Sequence, residues 1–350
     1  MFMRFLLKPN DVLMFRESKP FTAGEAHLAR TTLPLPQTIA GALRSAILLN
    51  SNFSEYAKKL VGYEQEEPEF KILGSFFYDG QEIFHTPLDI VETKGFEGYF
   101  FVKPLKLPNS HFVFKGRHIH FESVGGFLSY DNLIRYLKED LRKEELEEVV
   151  IYDLFVKESR IGIKLSEAKI TDEKHFYKAE FLRLNDNVEL SVWIGDKAEE
   201  VRKYIGGLIR LGGESRFARI KIEENDSLEK LRDAWDDILK SVNESKTFKL
   251  YVATPTLIEN SNNYTWNIEQ KLKDELKIKI KAIYPLIGKP IAFSGWDYAE
   301  NKPKPTRYAI PAGSVYFIEF EGEIKLNQPY LKLGELTKLG YGLCFLGVWR

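Results

Sequence analysis

The chain has 350 residues, of which 44% are hydrophobic and 29% charged, a composition typical of a soluble globular protein large enough for two domains. Its formal net charge of −1 excludes binding to nucleic acid through bulk positive charge, so any such binding needs local basic patches. No apolar run in the sequence reaches membrane length, and the short N-terminal apolar stretch predicts no secretory signal. The single cysteine, Cys344, excludes an internal disulfide framework or a cysteine-cluster zinc site.

The chain begins with an apolar segment, residues 2–8, that predicts a strand. A long loop punctuated by prolines follows, and it carries Arg16, Lys19 and His27 together with the aromatic Phe21. Basic side chains near aromatic rings suit a single RNA strand, with phosphates paired and bases stacked. A surface loop whose phenylalanines enter the core explains the same residues, and the sequence leaves both interpretations open.

Residues 36–50 predict the clearest helix, because a proline opens it and Ile39, Leu43 and Ile47 form an apolar stripe at helical spacing. Arg44 lies off this stripe. We therefore expect its side chain to face solvent or a ligand.

Residues 53–150 are interpreted as a large mixed insertion of short strands, with a charged helix at 130–149. His118 and His120 would share one face of a strand. Without a carboxylate or cysteine in register, an ordinary histidine pair is favoured over a metal site.

The segment 158–165 alternates apolar and basic residues, which predicts a strand with Arg160 and Lys164 on one face. Further elements are expected in the following order: strands at 176–184 and 188–194, a helix at 198–211, a strand at 216–223 that contains Arg216 and Arg219, a linker helix at 227–245, and a second unit from 246. In that unit, Lys302, Lys304 and Arg307 lie on a proline-rich loop that can present cations outward.

An internal echo links the two halves. Residues 208–217, LIRLGGESRF, match residues 336–345, LTKLGYGLCF, in the spacing of leucine, glycine and phenylalanine, and each carries a base between the leucines, Arg210 and Lys338. We interpret both as a short helix that ends at glycine before a strand, which favours a duplication. The terminal glycines, Gly340 and Gly342, indicate either a turn that lets backbone N–H groups approach an anion or a plain tight turn.

The order of elements therefore predicts an α+β protein of two tandem ferredoxin-like units, with a large mixed insertion in the first. The expected divisions are an N-terminal unit at 1–226 with the insertion at 53–150, a linker helix at 227–245, and a C-terminal unit at 246–350.

Six segments together resemble a known family: FR-x-x-KPF-x-AG at 15–24, GALRS at 41–45, ESRIGI at 158–163, LGGESRFA at 211–218, the run from GWD to SVYF at 295–317, and LGYGLCFLG at 339–347. In this order they resemble subunit three of the Cmr complex, the type III-B CRISPR effector, which is a RAMP-superfamily protein. The resemblance implies tandem ferredoxin-like domains and a signature glycine-rich loop, here at Gly340 and Gly342. It also implies a non-catalytic subunit that grips the 5′ repeat-derived tag of the guide CRISPR RNA. The single cysteine and the lack of a membrane-length apolar run favour a cytoplasmic protein. Its protein partners would be the large palm-domain subunit and neighbouring RAMP subunits, with target RNA met indirectly.

We expect no cofactor and no metal. The candidate RNA-binding residues are Arg16, Lys19, Phe21, His27, Arg44, Arg160, Arg210, Arg216, Arg219, Lys302, Lys304, Arg307, Gly340, Tyr341 and Gly342. Two alternatives stay open. One is a metal-independent RAMP endoribonuclease with His27 as its general acid or base, and the other is a protein-only scaffold.

Overall fold

The structure, a computed structural model, describes residues 2–16, 28–93, 96–106, 112–113, 121–165, 171–224, 228–260, 263–297 and 301–350. Within these residues the α-helices are Pro36–Asn50 (α1), Glu55–Val61 (α2), Tyr130–Leu137 (α3), Leu146–Val149 (α4), Ala198–Tyr204 (α5), Glu229–Ser245 (α6) and Glu269–Leu276 (α7). Two 3-10 turns lie at Lys143–Glu145 and Thr337–Leu339. In the part of the chain so described, no helix is both long and apolar enough to cross a membrane.

The strands before α6 are Met3–Pro9 (β1), Leu28–Ala29 (β2), Ile72–Tyr78 (β3), Glu82–His85 (β4), Ile90–Thr93 (β5), Phe96–Phe101 (β6), Leu105–Lys106 (β7), Phe112–Val113 (β8), Phe121–Ser123 (β9), Phe127–Ser129 (β10), Phe155–Leu165 (β11), Thr171–Leu184 (β12), Glu189–Ile194 (β13), Leu208–Arg210 (β14) and Phe217–Glu223 (β15). The strands after it are Thr247–Val252 (β16), Glu259–Asn260 (β17), Asn263–Tyr264 (β18), Lys279–Leu286 (β19), Ile291–Phe293 (β20), Trp296–Asp297 (β21), Lys302–Pro303 (β22), Arg307–Ala309 (β23), Val315–Glu321 (β24), Leu331–Lys332 (β25) and Leu343–Val348 (β26). The chain is therefore a mixed α+β protein with several sheets.

A seven-stranded sheet organises the first half, in the order β10-β4-β3-β13-β1-β15-β14. Within it, β1 pairs antiparallel with β13 on one side and β15 on the other, so that Phe5 lies opposite both Val192 and Ile222. The predicted apolar stripe of α1 is buried and packs into the same core as Phe5. This stripe fixes α1 against the sheet, as its spacing predicted.

A five-stranded sheet organises the second half, in the order β19-β24-β16-β26-β25. Here β16 pairs antiparallel with β24 and β26, as β1 does with β13 and β15. Helix α6 contacts β16 and β26, and α7 contacts β19. The two sheets thus repeat one neighbour relation around their first strands.

The two halves share buried apolar contacts. The ring of Phe84 in β4 lies 5.9 Å from that of Phe345 in β26, and the Tyr251 hydroxyl donates to the His85 carbonyl at 2.6 Å. Leu336, Leu339 and Tyr341 also pack within the core built on β1. The second sheet is therefore joined to the first through a continuous interior.

The internal echo does not form the same structure twice. The predicted helix 198–211 ends at Tyr204, two glycines follow, and Leu208–Arg210 is a strand paired with β15. The matching segment near the C-terminus contains a 3-10 turn, Thr337–Leu339, where the first copy has this strand. The interpretation of Leu208 and Leu211 as the inner face of a helix is wrong, because Gly206 and Gly207 interrupt the helix and a hairpin replaces it.

The sheet strands also come from an unexpected place. The long strands β11 and β12 pair with each other and with β2 in a separate three-stranded sheet. The place beside β1 that was expected for these strands is taken by β13, and β13 pairs with β3 on its other side. Strand β3 lies within the 53–150 segment that was interpreted as an insertion. The residues of β3 are nearly all buried, which suits a strand covered on both faces. The segment 53–150 therefore contributes to the main sheet.

Candidate nucleic-acid interface

Three arginines converge on one carboxylate beside the β11–β12 hairpin. The Asp11 side chain lies 3.5 Å from Arg160 Nη2, 3.1 Å from Arg183 Nη2 and 3.4 Å from Arg216 Nη1. Glu158 accepts further bonds from Arg160 and Arg183. We call the five residues Asp11, Glu158, Arg160, Arg183 and Arg216 the arginine cluster.

The strand register brings these side chains to one face. Glu158 and Arg160 are two residues apart in β11, and in β12 Phe181 and Arg183 are likewise two apart. Antiparallel pairing sets Glu158 opposite Phe181, so all four side chains share a face. Arg216 reaches this face from the turn before β15, and Asp11 from the turn after β1.

The aromatic ring of Phe181 lies beneath the arginine cluster. The guanidinium carbons of Arg160 and Arg216 each lie 5.1 Å from its centroid, within the range of cation–π contacts. Phe181 is itself buried with Val12, Met14 and Ala179. A ring held this firmly orients both guanidinium groups before any ligand arrives.

The cluster keeps a positive charge at neutral pH. Desolvation opposes ionisation of Asp11, but the charges of Arg160 and Arg183 outweigh it and lower its pKa. Hydrogen bonding from Arg183 lowers the pKa of Glu158 in the same way. Three guanidinium groups against two carboxylates leave one positive charge.

The arginines remain accessible to solvent. The side chains of Arg160 and Arg183 are 40% and 42% exposed, and that of Arg216 is 27% exposed. Guanidinium groups bind phosphate oxygens through two parallel N–H bonds. Fixed, partly exposed guanidinium groups above an aromatic ring can therefore bind a phosphate group of a nucleic acid.

The neighbouring β14–β15 hairpin carries two more of the predicted bases. Arg210 lies opposite Phe217, and Leu208 opposite Arg219. Because directly paired residues share a face, these four side chains form one exposed basic and apolar surface, and Arg216 directly precedes its strand β15 in the chain. Arg16 is also exposed, in a β-bridge with Thr31.

Two other basic residues that were predicted to bind RNA, Arg44 and Arg307, lie elsewhere. Arg44 donates to the carbonyl oxygens of Gly62, Gln65 and Glu66, and Arg307 pairs with the Glu66 carboxylate at 2.9 Å. Both therefore hold the turn that follows α2. They are not part of the arginine cluster.

The proline-rich hairpin holds the two remaining lysines. Lys302 lies opposite Asp297 in the β21–β22 pair, and the backbone N–H of Lys304 donates to the Gly295 carbonyl. Both are joined to their own hairpin, and neither is part of the arginine cluster.

The glycine-rich loop is buried, which corrects its expected place in an RNA groove. Tyr341 is fully buried and its ring stacks on Phe293 at 5.1 Å. Gly340 and Gly342 are buried too, and both adopt left-handed backbone conformations. Lys332 donates to the Thr337 and Tyr341 carbonyls of this loop and to Ile72 in β3. Packing between the two sheets therefore explains these glycines, and the backbone at 340–342 is not exposed to a phosphate.

Several predicted residues lie outside the described ones: Lys19, Phe21, His27, His118 and His120. Sequence reasoning missed Asp11, Phe181 and Arg183. The alternation F-L-R-L at 181–184 carries a signal for the last two, since it places Phe181 and Arg183 on one strand face. Their pairing with Arg160 depends on the β11–β12 register.

Comparison with known proteins gives a consistent result. A family model described as CRISPR-associated protein (Cas_Cmr3) matches residues 5–349. A chain in a cryo-EM structure of the type III-B Cmr-beta complex bound to cognate target RNA is similar at a TM-score of 0.53 and 21% identity, covering 90% of this chain and 86% of that one. A chain in a second cryo-EM structure, of type III-B Cmr-beta bound to cognate target RNA and AMPPnP, is similar at a TM-score of 0.52 and 20% identity, with the same coverage. The comparison with curated protein sequences gave no match.

The family model covers nearly the whole chain, and the structural similarity shows a shared fold. The resemblance drawn from six sequence segments is confirmed by this match. The chain belongs to the Cas_Cmr3 family of CRISPR-associated proteins.

Proposed function

We propose that this chain is a non-catalytic RNA-binding subunit of a type III-B CRISPR effector. In this role it grips the 5′ repeat-derived tag of the guide RNA and docks on the large palm-domain subunit beside other RAMP subunits. Family membership supports the assembly, since similar folds occur in Cmr-beta structures described as bound to target RNA. The arginine cluster is the observation that carries the RNA-binding part.

We infer that the two sheets are those of two ferredoxin-like units. In a split βαβ unit the four strands lie side by side in the order fourth, first, third, second. The first sheet contains this order as β15-β1-β13-β3, and the second sheet contains it as β26-β16-β24-β19. Helices α1 and α7 occupy the first crossover of each unit. The second crossover contains α5 in one unit and only the short turn Thr337–Leu339 in the other. The proposed divisions remain 1–226, a linker at 227–245, and 246–350.

Guide binding is proposed to use the arginine cluster and the adjoining β14–β15 face. The arginines bind phosphates, and exposed Phe217 offers a ring for a base. Because the formal net charge of the chain is only −1, this local concentration of guanidinium groups is what attracts the anionic strand.

The test is a guide RNA carrying the repeat-derived tag, titrated with the purified chain. Arg160→Glu with Arg216→Glu should weaken binding at least about ten-fold, because each reversal replaces a phosphate-binding charge with a repelling one. Arg202→Glu is the matched control, since Arg202 pairs with Glu224 away from the cluster. Equal affinity of the double variant and the control would favour the protein-only scaffold.

The absence of catalysis is part of the proposal and is tested separately. Cleavage without metal needs a base for the 2′-OH and an acid for the leaving oxygen. Labelled repeat RNA should stay intact with the chain in EDTA and in Mg²⁺. Site-specific cleavage that disappears in His27→Ala would establish the nuclease alternative instead.

A further inference from the structure

The carboxylate of Asp11 occupies the position that the arginine cluster offers to an anion. Its oxygens lie 3.1 Å from Arg183 Nη2, 3.4 Å from Arg216 Nη1 and 3.5 Å from Arg160 Nη2. Guanidinium groups bind carboxylate and phosphate oxygens through the same N–H donors. A phosphate that binds to these three arginines therefore competes with Asp11.

The contacts of Asp11 are long and exposed to solvent. Hydrogen bonds between a guanidinium group and a carboxylate are usually about 2.7–2.9 Å long. The shortest distance in each of the three ion pairs of Asp11 is longer than this, because two oxygens are shared among three guanidinium groups. The side chain is 43% exposed, on the turn after β1. Exposed ion pairs of this kind contribute little to stability, so Asp11 can be displaced at low cost.

The other carboxylate of the cluster holds the arginines in place. Glu158 accepts hydrogen bonds from both Nε and Nη2 of Arg183, the second at 3.1 Å, and from Arg160 Nη2 at 3.3 Å. The ring of Phe181 lies beneath Arg160 and Arg216, 5.1 Å from each guanidinium carbon. These contacts orient all three guanidinium groups without the carboxylate on the turn after β1.

Other charged side chains of the β11–β12 hairpin belong to its opposite face. Lys157 and Glu180 pair with each other at 3.4 Å, and strand alternation places both of them, with Lys178, on the face away from the cluster. Glu214 is exposed in the turn before Arg216, and it forms no ion pair within the part of the chain that the structure describes. Asp11 is therefore the anionic group best placed to exchange with a phosphate.

We propose that Asp11 is a displaceable substitute for phosphate, which closes the arginine cluster until the backbone of an RNA strand takes its place. This inference rests on the proposed function, because it concerns the same RNA-binding site. It adds that binding is an exchange of anions, in which the contacts between Asp11 and the arginines break as phosphate contacts form. The carboxylate therefore lowers the affinity of the wild-type chain for RNA.

The test compares the affinities of purified chains for guide RNA that carries the repeat-derived tag. Asp11→Asn should raise the affinity about three- to five-fold, the strength of one good exposed ion pair, and the gain should shrink as salt is added. Asparagine keeps the shape of the side chain, and urea unfolding checks that the variant folds. Asp11→Ala is a second variant that removes the same charge, and it should raise the affinity by a similar factor.

Glu214→Gln is the matched control for net charge. It removes one negative charge two residues before Arg216, from a side chain outside the arginine cluster. Because solvent and salt screen a charge that contacts no guanidinium group, the affinity should change by less than about 1.5-fold.

Each outcome decides one question. Folded Asp11 variants with lower affinity would show that Asp11 orients the arginines, and unchanged affinity would show that the strand does not displace it. An equal gain in Glu214→Gln would reduce the effect to net charge. Each of these three results overturns the inference. The proposed function still stands in each case if Arg160→Glu with Arg216→Glu weakens binding. It fails if the wild-type chain does not bind the guide RNA, or if that double change has no effect.

Discussion

Gly340 faces the backbone carbonyl of Gly74 so closely that a Cβ atom on Gly340 would lie 2.1 Å from that oxygen. The same atom would lie 3.1 Å from Pro36, the first residue of α1. Gly340 also has φ at +106°. The glycine-rich loop of the second sheet is thus seated on β3 and α1 of the first, and this contact defines how the two halves meet.

Gly340→Ala should therefore destabilise the protein by at least about 2 kcal/mol, through steric overlap with a backbone atom and a strained φ. Urea unfolding measures the effect. Gly207→Ala is the control, because its added Cβ would meet nothing within 4 Å. Normal stability of Gly340→Ala with lost RNA affinity would instead return the glycine to an RNA-binding role.

This contact also shows what the sequence could and could not predict. The periodicity of α1 and the apolar run of β1 are local patterns, and both elements formed as predicted. The terminal glycines were recognised as special, but local sequence cannot say whether a protein carbonyl or a phosphate approaches them. That choice depends on Gly74, which is 266 positions away by the numbering.

The candidate site was predictable to a similar extent. Alternation placed Arg160 on a strand face, and Arg216 was named at the start of the strand predicted at 216–223. Their meeting above Phe181 depends on the β11–β12 register and on the turn after β1, which are long-range features. The prediction of a helix through Leu208 was wrong, because it gave the apolar spacing more weight than the two preceding glycines, Gly206 and Gly207.

A second prediction concerns the stability contributed by the buried carboxylate of Glu82. Its carboxylate is fully buried and accepts bonds from Arg4 at 2.6 Å, Trp193 at 2.7 Å and Ser191 at 3.1 Å. Glu82→Ala should cost about 3–5 kcal/mol, because it leaves the buried Trp193 and Ser191 donors without their acceptor and leaves Arg4 only its longer pair with Glu223 at 3.3 Å. Thermal or urea unfolding checks this value.

The control for Glu82 is an exposed ion pair. Glu321 bridges Lys279 and Lys281 at the surface, where solvent screens ion pairs, so Glu321→Ala should leave the free energy of unfolding almost unchanged. Similar losses for the two variants would contradict the view that burial, and not the number of partners, sets the contribution of Glu82.

His85 should make stability depend on pH. Burial lowers its pKa from 6.5 to about 4, so between these values the unfolded chain binds more protons than the native one. Its contribution therefore destabilises the protein as pH falls from 6.5 toward 4, by about 2 kcal/mol between pH 7 and pH 5. Asp89 acts with the opposite sign, because burial raises its pKa to about 6 and the native state binds more protons between pH 4 and 6.

The two groups are separated by comparing wild type with His85→Phe. The variant should lose less stability than wild type on going from pH 7 to pH 5, measured by urea unfolding at each pH. A small cavity of about 40 Å³ beside His85 helps to accommodate the larger ring. If the stability–pH curves of the two proteins are parallel, the native state binds a proton at His85 as readily as the unfolded chain does. That result would contradict the lowered pKa of His85.

The last prediction concerns the salt dependence of guide binding. If Arg160, Arg183 and Arg216 each neutralise one phosphate, the triple change to glutamine should reduce the slope of log affinity against log salt by about 2, at roughly 0.7 per contact on a single strand. Glutamine keeps hydrogen-bonding capacity and polarity, so the change in slope isolates charge. Arg202→Gln should leave the slope unchanged. Affinity that falls by the same factor at every salt concentration would mean that the three arginines position the hairpin through Asp11 and Glu158 without touching phosphate.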